Sequence, residues 1–141
     1  MKDTECFIPS LSIRGFQLAT QFRTSSVRFF WISVDIMNSI HTSDGKRTAK
    51  FRKLKIFDTQ IVLNSLINNT WGVEERYCNV FKEGSPFTIR ILALMQYYKI
   101  AVNGRHLCDY LHRLNLNSVN SIFIGGNVSI DYIQIEGDVC F

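Results

Sequence analysis

Pro86-Phe-Thr-Ile-Arg-Ile91, followed by Tyr98-Lys-Ile-Ala-Val-Asn103-Gly104-Arg105-His-Leu-Cys-Asp-Tyr110, is the stretch whose reading decides the fold. Phe87, Ile89 and Ile91 fall on one side of an extended chain, and Thr88 and Arg90 fall on the other, the period of a half-buried strand. Tyr98, Ile100 and Val102 alternate in the same way against Lys99 and Ala101. Asn103-Gly104 then supplies the pair best suited to the positive φ angles of a two-residue hairpin, which makes Arg105–Tyr110 the return strand.

Outward from this hairpin, the same period predicts strands over Gly15–Phe22, Val27–Asp35, Thr48–Arg52, Thr59–Asn64, Glu74–Cys78, Ser121–Gly125 and Val128–Ile135. Helix signals are weak: Ile91–Met95 has some propensity and Leu111–Leu116 has room for one short turn. Neither is long enough to carry a fold. Short strands with turn signals about every 8–12 residues predict an all-β architecture of two antiparallel sheets packed face to face. With 141 residues and no internal repeat or linker, residues 1–141 are expected to form a single domain.

Composition narrows the function. The chain is 46% apolar and 20% charged, too hydrophobic for disorder, and no apolar run reaches the length of a membrane helix. Lys2, Asp3 and Glu5 replace the apolar core of a secretory leader, so a cytoplasmic chain without membrane insertion is expected. Cys6, Cys78, Cys108 and Cys140 form no C-x-x-C pair, and His41, His106 and His112 have no metal-ligand spacing. No metal and no cofactor is expected, and the thiols are expected to be free. Lys46, Arg47, Lys50, Arg52, Lys53 and Lys55 lie in one acid-free run; subtracting these six from the formal charge of +4 leaves −2. Such a run reads first as a solvated strand face, and no nucleic-acid partner is expected.

No nucleophile elbow, phosphate loop or H-E-x-x-H is present, and Glu74 and Glu75, as strand neighbours, face opposite sides. The reading is therefore not an enzyme. The informative segment is Ile61-Val-Leu-Asn64, then Trp71-Gly-Val-Glu74-Glu-Arg76. If Ile61 and Leu63 face the core, Val62 and Asn64 face outward, and Glu74 and Arg76 share a face because they are two apart. Trp71 has the wrong parity to join them unless Gly72 redirects the chain. An indole beside an amide, a carboxylate and a guanidinium suits a sugar: the ring covers the C–H face, and the polar groups pair with hydroxyls.

Asn64, then Trp71-Gly-x-Glu74-Glu-Arg76, and Asn103-Gly-x-His106-Leu-x-x-Tyr110-x-His112-Arg113 downstream, together resemble the carbohydrate-recognition domain of galectins over nearly the whole chain. The resemblance implies a jelly-roll-like, galectin/concanavalin-like β-sandwich that binds β-galactosides on its concave sheet. It implies that Trp71 stacks on galactose, that Asn64 and Glu74 hold its 6-hydroxyl, and that Glu74 and Arg76 reach the adjoining sugar. His106 and His112 are then structural. Galactoside-bearing glycans or glycoproteins are the implied partners; homodimers through terminal strands and non-classical secretion are also implied.

The family's H-x-N-P-R motif aligns with Thr48-Ala-Lys50-Phe51-Arg52, which retains only the arginine. Arg52 is thus a candidate site residue, with Thr48 and Lys50 in the positions that grip the axial 4-hydroxyl. A second alignment reads His41-Thr-Ser-Asp-Gly as the altered motif, at the cost of a longer stretch before Asn64. At roughly 1 kcal/mol per net hydrogen bond, losing two weakens binding about 30-fold and shifts the preference among epimers. The alternative expectation is a protein-interaction module that has kept the sandwich and lost lactose binding. Asn68-Asn-Thr70 and Asn127-Val-Ser129 match the glycosylation sequon but read as turn residues.

Overall fold

The computed structural model describes residues 4–8, 16–23, 31–41, 47–57, 60–78, 86–113, 119, 121–126 and 128–137, with the side chains of 4, 31, 38–41 and 47–57 outside the description. Twelve strands are present among the described residues: β1 (Thr4–Ile8), β2 (Phe16–Arg23), β3 (Trp31–His41), β4 (Arg47–Phe57), β5 (Gln60–Ile67), β6 (Thr70–Trp71), β7 (Glu75–Cys78), β8 (Phe87–Ala93), β9 (Tyr97–Val102), β10 (Arg105–Leu111), β11 (Ser121–Gly126) and β12 (Ser129–Gly137). The first sheet runs β1-β11-β3-β4-β5-β6, with β7 also on β5; the second runs β10-β9-β8-β2-β12. All pairings are antiparallel. The expected two-sheet sandwich is therefore the observed one.

Alternation builds the core. Phe87, Ile89 and Ile91 on β8, Leu18 and Phe22 on β2, and Ile122 and Ile124 on β11 are all buried in one cluster with Ile61 and Leu63 of β5. Each such side chain contributes about 1.5–3 kcal/mol by leaving water. Phe22 and Phe87 stack with ring centroids 5.4 Å apart. Ser65 Oγ of β5 and Tyr110 Oη of β10 are hydrogen-bonded across the sandwich at 2.6 Å.

The Asn103-Gly104 hairpin forms as the sequence predicts, with φ of 51° and 78°. Asn103 ties the turn to β8: Thr88 N donates to Asn103 Oδ1 at 2.9 Å, and Asn103 N donates to Thr88 O at 2.9 Å. Asn68 and Asn69, at φ 52° and 60°, make the corresponding turn between β5 and β6, so this sequon is a turn. Asn127 and Cys140 lie outside the described residues.

One expectation is corrected, and a second lies mostly outside the described residues. Ile91–Ala93 completes β8 and Leu94 N donates to Tyr97 O at 2.9 Å, a strand and a turn in place of helical character. Leu111 ends β10, and residues 114–116 of the second helix signal lie outside the description. Strands β1 and β6 escape a reading by period. β1 exists through its ladder with β11, whose pairs run from Thr4↔Gly126 to Ile8↔Ile122, and β6 is only two residues long.

Candidate functional site

The first sheet turns Ile61, Leu63 and Ser65 toward the second sheet, which leaves Val62, Asn64 and Leu66 on its other side. Directly opposed residues share a side, so the ladder draws rows across that face. One row is Ser33, Lys55, Val62 and Arg76; the next is Asp35, Lys53 and Asn64; the third is Met37, Phe51, Leu66 and Trp71.

Trp71 joins this face through an irregularity. From Leu66 back to Leu63 is three residues on β5, whereas their partners Trp71 and Glu75 are four apart. The extra residue, absorbed over Gly72–Glu74, reverses parity and brings Trp71 and Arg76 to the same side. The indole is 49% exposed. Gly72 is needed here for space: a Cβ would lie 2.9 Å from Arg113 Nη1 and 3.3 Å from Asn64 Oδ1. Gly72 N donates to Ser65 O at 3.0 Å, which holds the irregular segment to β5.

Glu74 and Arg76 form an exposed pair, with Arg76 Nε 2.7 Å and Nη2 2.6 Å from Glu74 Oε2. Arg76 Nη1 also donates to Gln60 Oε1. The guanidinium is thus held flat from both sides before any ligand arrives, and Glu74 Oε1 is left as an acceptor. Such an exposed pair adds little stability, so its value is geometric. Glu75 faces the other way, as its parity requires.

Asn64 is only 8% exposed, because the chain uses most of its amide. Its Oδ1 accepts from Ser65 N at 2.8 Å and from Arg113 Nη1 at 3.1 Å, and its Nδ2 donates to Gly72 O at 3.0 Å. An amide oxygen has two lone pairs, so the acceptor is saturated and one N–H remains. Of the two hydrogen-bonding roles an amide has, the structure leaves Asn64 that of a donor.

The register of β4 departs from the sequence alignment. Arg52 is opposite Ser65 and Ile36 in register, whereas Lys53 is opposite Asn64. A strand shifted by one residue exchanges its faces. Lys50 is in register with Asn38 and Thr48 with Ile40, beyond the last β4–β5 pair, Phe51↔Leu66. The ladder therefore does not bring Thr48, Lys50 or Arg52 into line with Asn64; it brings Phe51, Lys53 and Lys55. His41 pairs with Arg47 at the end of β3. The side chains of His41, Thr48, Lys50 and Arg52 lie outside the described residues.

Behind the face lies a network that the sequence reading missed. Arg113 Nη2 donates to Val73 O at 2.8 Å and to Glu75 Oε2 at 3.2 Å, and its Cζ is 4.9 Å from the Tyr110 ring centroid. Tyr77 Oη donates to Glu75 Oε1 at 3.2 Å. Burial, with the Cys108 thiol and Glu75 carboxylate nearby, pushes the Tyr77 phenol well above its ordinary range. Burial likewise raises Cys108 to about 11, against the opposing hydrogen bond from Tyr77. Both groups are neutral at physiological pH. Arg113 and Glu75 stood inside quoted motifs, but only the contact across the two sheets assigns them a task.

His112 Nε2 is 2.7 Å from Leu94 O and the ring lies edge-on to Tyr98, a structural setting, while His106 is an exposed neighbour of Asp109 at 3.4 Å. Cys6, Cys78 and Cys108 are free thiols.

Residues 33–135 match the family model described as galactoside-binding lectin. The chain is 40% identical over 78 residues to a 32 kDa beta-galactoside-binding lectin of Caenorhabditis elegans, covering 55% of this chain and 28% of that protein. It is 40% identical over 78 residues to galectin-4 of Sus scrofa, covering 53% and 24%. The chain thus spans well under half the length of these two relatives. Among solved structures, sheep galectin-11 in complex with glycerol superimposes with a TM-score of 0.79 at 22% identity, over 96% of this chain and 98% of that one. A human galectin-16 variant gives 0.75 at 24% identity, over 96% and 95%. These structural likenesses concern the fold. The family model covers most of the sequence, including every strand that builds the face, and the chain belongs to the galectins, a family of non-catalytic carbohydrate-binding lectins.

Proposed function

We propose that this domain binds β-galactoside-type glycans through Trp71, Asn64, Glu74 and Arg76, weakly or with a shifted preference. One observation carries the reading: an exposed indole shares a sheet face with a pre-set Glu74–Arg76 pair and a donor amide. The indole covers the C–H face of galactose, the 6-hydroxyl accepts from Asn64 Nδ2 and donates to Glu74, and Arg76 reaches the adjoining sugar.

The shifted preference rests on β4. Phe51, Lys53 and Lys55 occupy the row positions beside Leu66, Asn64 and Val62. A phenyl ring offers no hydrogen bond to an axial 4-hydroxyl, and an ammonium donates but does not accept. Single-site affinity for lactose is accordingly on the order of 0.1–1 mM, with biological strength coming from multivalency. β1 and β12 each stand at one edge of their sheet, where pairing with a second copy through terminal strands would form.

Calorimetric titration of the full chain with lactose tests the proposal. Saturable binding, abolished by Trp71→Ala, supports it; no response to lactose or any other galactoside overturns it. The two lysine positions on β4 favour one rival, an interaction module for an anionic protein. Binding to such a partner would fall steeply with salt, whereas sugar stacking would scarcely change.

A further inference from the structure

Part of the face lies outside any ladder. β5 pairs Leu66 with Trp71 and Leu63 with Glu75, and Gly72, Val73 and Glu74 between them have no strand partner. Packing does not hold this segment either: Gly72 has no side chain, Val73 is 80% exposed, and Glu74 reaches out to Arg76. A stretch with so little burial opens locally at low cost unless polar contacts tie it down.

Two of the ties come from β5. Gly72 N donates to Ser65 O and Asn64 Nδ2 donates to Gly72 O, both at 3.0 Å. The third arrives from the other sheet: Arg113 donates through Nη2 to Val73 O at 2.8 Å and Glu75 Oε2 at 3.2 Å, and through Nη1 to Asn64 Oδ1 at 3.1 Å. This arm has a firm base. Its Cζ lies over the Tyr110 ring, 4.9 Å from the centroid, and Tyr110 Oη is 2.6 Å from Ser65 Oγ. The preceding His112 donates its backbone N–H to Gln96 O at 3.1 Å and sets Nε2 2.7 Å from Leu94 O. Gly72 leaves room for the guanidinium, since a Cβ there would come within 2.9 Å of Nη1.

We infer that Arg113 is a positioning residue: a strap from the second sheet that holds the Gly72–Glu74 segment against β5, and so fixes Trp71 in relation to Asn64 before a ligand arrives. Ordering the segment in advance lowers the cost of binding, so the strap raises affinity without adding a contact to the ligand. Only this consequence for affinity rests on the proposed galactoside reading; the strap itself can be read without sugar.

Amide hydrogen exchange of the sugar-free chain is the test. In Arg113→Ala the Gly72 amide should exchange about ten-fold faster, a larger factor than at Ile89 and Ile100 in the core strands. A residue that only supports the fold would leave Gly72 unchanged or speed all three amides equally, and either result overturns the inference. Arg113→Lys keeps the charge but loses the planar fork, so its Gly72 rate should fall between the other two. It decides the matter if Arg113→Ala does not fold: a wild-type rate there overturns the strap. Lactose titration reads the consequence. Binding should weaken about ten-fold in Arg113→Ala. Gly72→Ala should cost about ten-fold in the wild-type background but less than about two-fold once Arg113 is alanine, and equal costs in both backgrounds overturn the inference. If the wild type binds no sugar, the galactoside reading has failed, and the exchange rates alone decide the strap.

Discussion

The candidate site has two halves that relate to the sequence differently. On β5–β7, Asn64, Trp71 and the Glu74–Arg76 pair come to one face, Trp71 through the extra residue between β6 and β7. On β4, the residues aligned by motif, Arg52 with Thr48 and Lys50, fall out of line with Asn64, and Lys53 stands there instead. The first half is joined by a tight asparagine turn and a glycine, with few ways to connect. The second is joined across a connection whose length the motif does not specify, and one residue of slip exchanges a whole strand's faces.

Substitutions sharpen this contrast, beginning where the chain has invested most. Asn64→Ala removes a sugar donor and strips partners from Arg113, Ser65 N and Gly72 O. Lactose affinity should fall at least about 30-fold, and calorimetric unfolding should show a loss of about 2 kcal/mol. Retained lactose binding in this variant would break the account of the β5–β7 half.

For the β4 half, Lys53→Asn restores a group that both donates and accepts beside Asn64. It should tighten lactose binding about five-fold, one net hydrogen bond. Arg52→Asn should leave the affinity within about two-fold, well below the value of one net bond, because its register places it with Ser65. The reverse result in titrations would reinstate the motif alignment and refute the ladder.

The last effect concerns the support behind the β5–β7 half. The Cys108 thiol is raised to about 11 in the fold, above its ordinary 9.0, so the folded chain keeps the proton that the unfolded chain gives up. This stabilisation is fully present below pH 9 and is lost as pH rises toward about 11, on the order of 2 kcal/mol in all. Tyr77, also raised, acts in the same direction. Thermal melts from pH 7 to 11 should fall less steeply for Cys108→Ala than for wild type.

Much of this was legible beforehand. Alternation in Phe87–Ile91 and Tyr98–Val102 named the strands and their buried sides, and Asn103-Gly104 named the turn, because side-chain period and positive φ are local properties. Trp71 seemed out of phase with Arg76 because period alone has no knowledge of an extra residue; the β5–β6 and β5–β7 ladders reveal it. That Asn64 is left only as a donor is not visible in the sequence, because its amide partners lie 1, 8 and 49 positions away.

By itself the sequence determined the strand period, the turns, the buried residues and the shared face of Glu74 and Arg76, since each follows from residues near one another along the chain. Only the tertiary structure decided which β4 residues stand beside Asn64 and what Arg113 does. Register between strands and contact between sheets are set by non-local hydrogen bonds and packing, which no local pattern encodes.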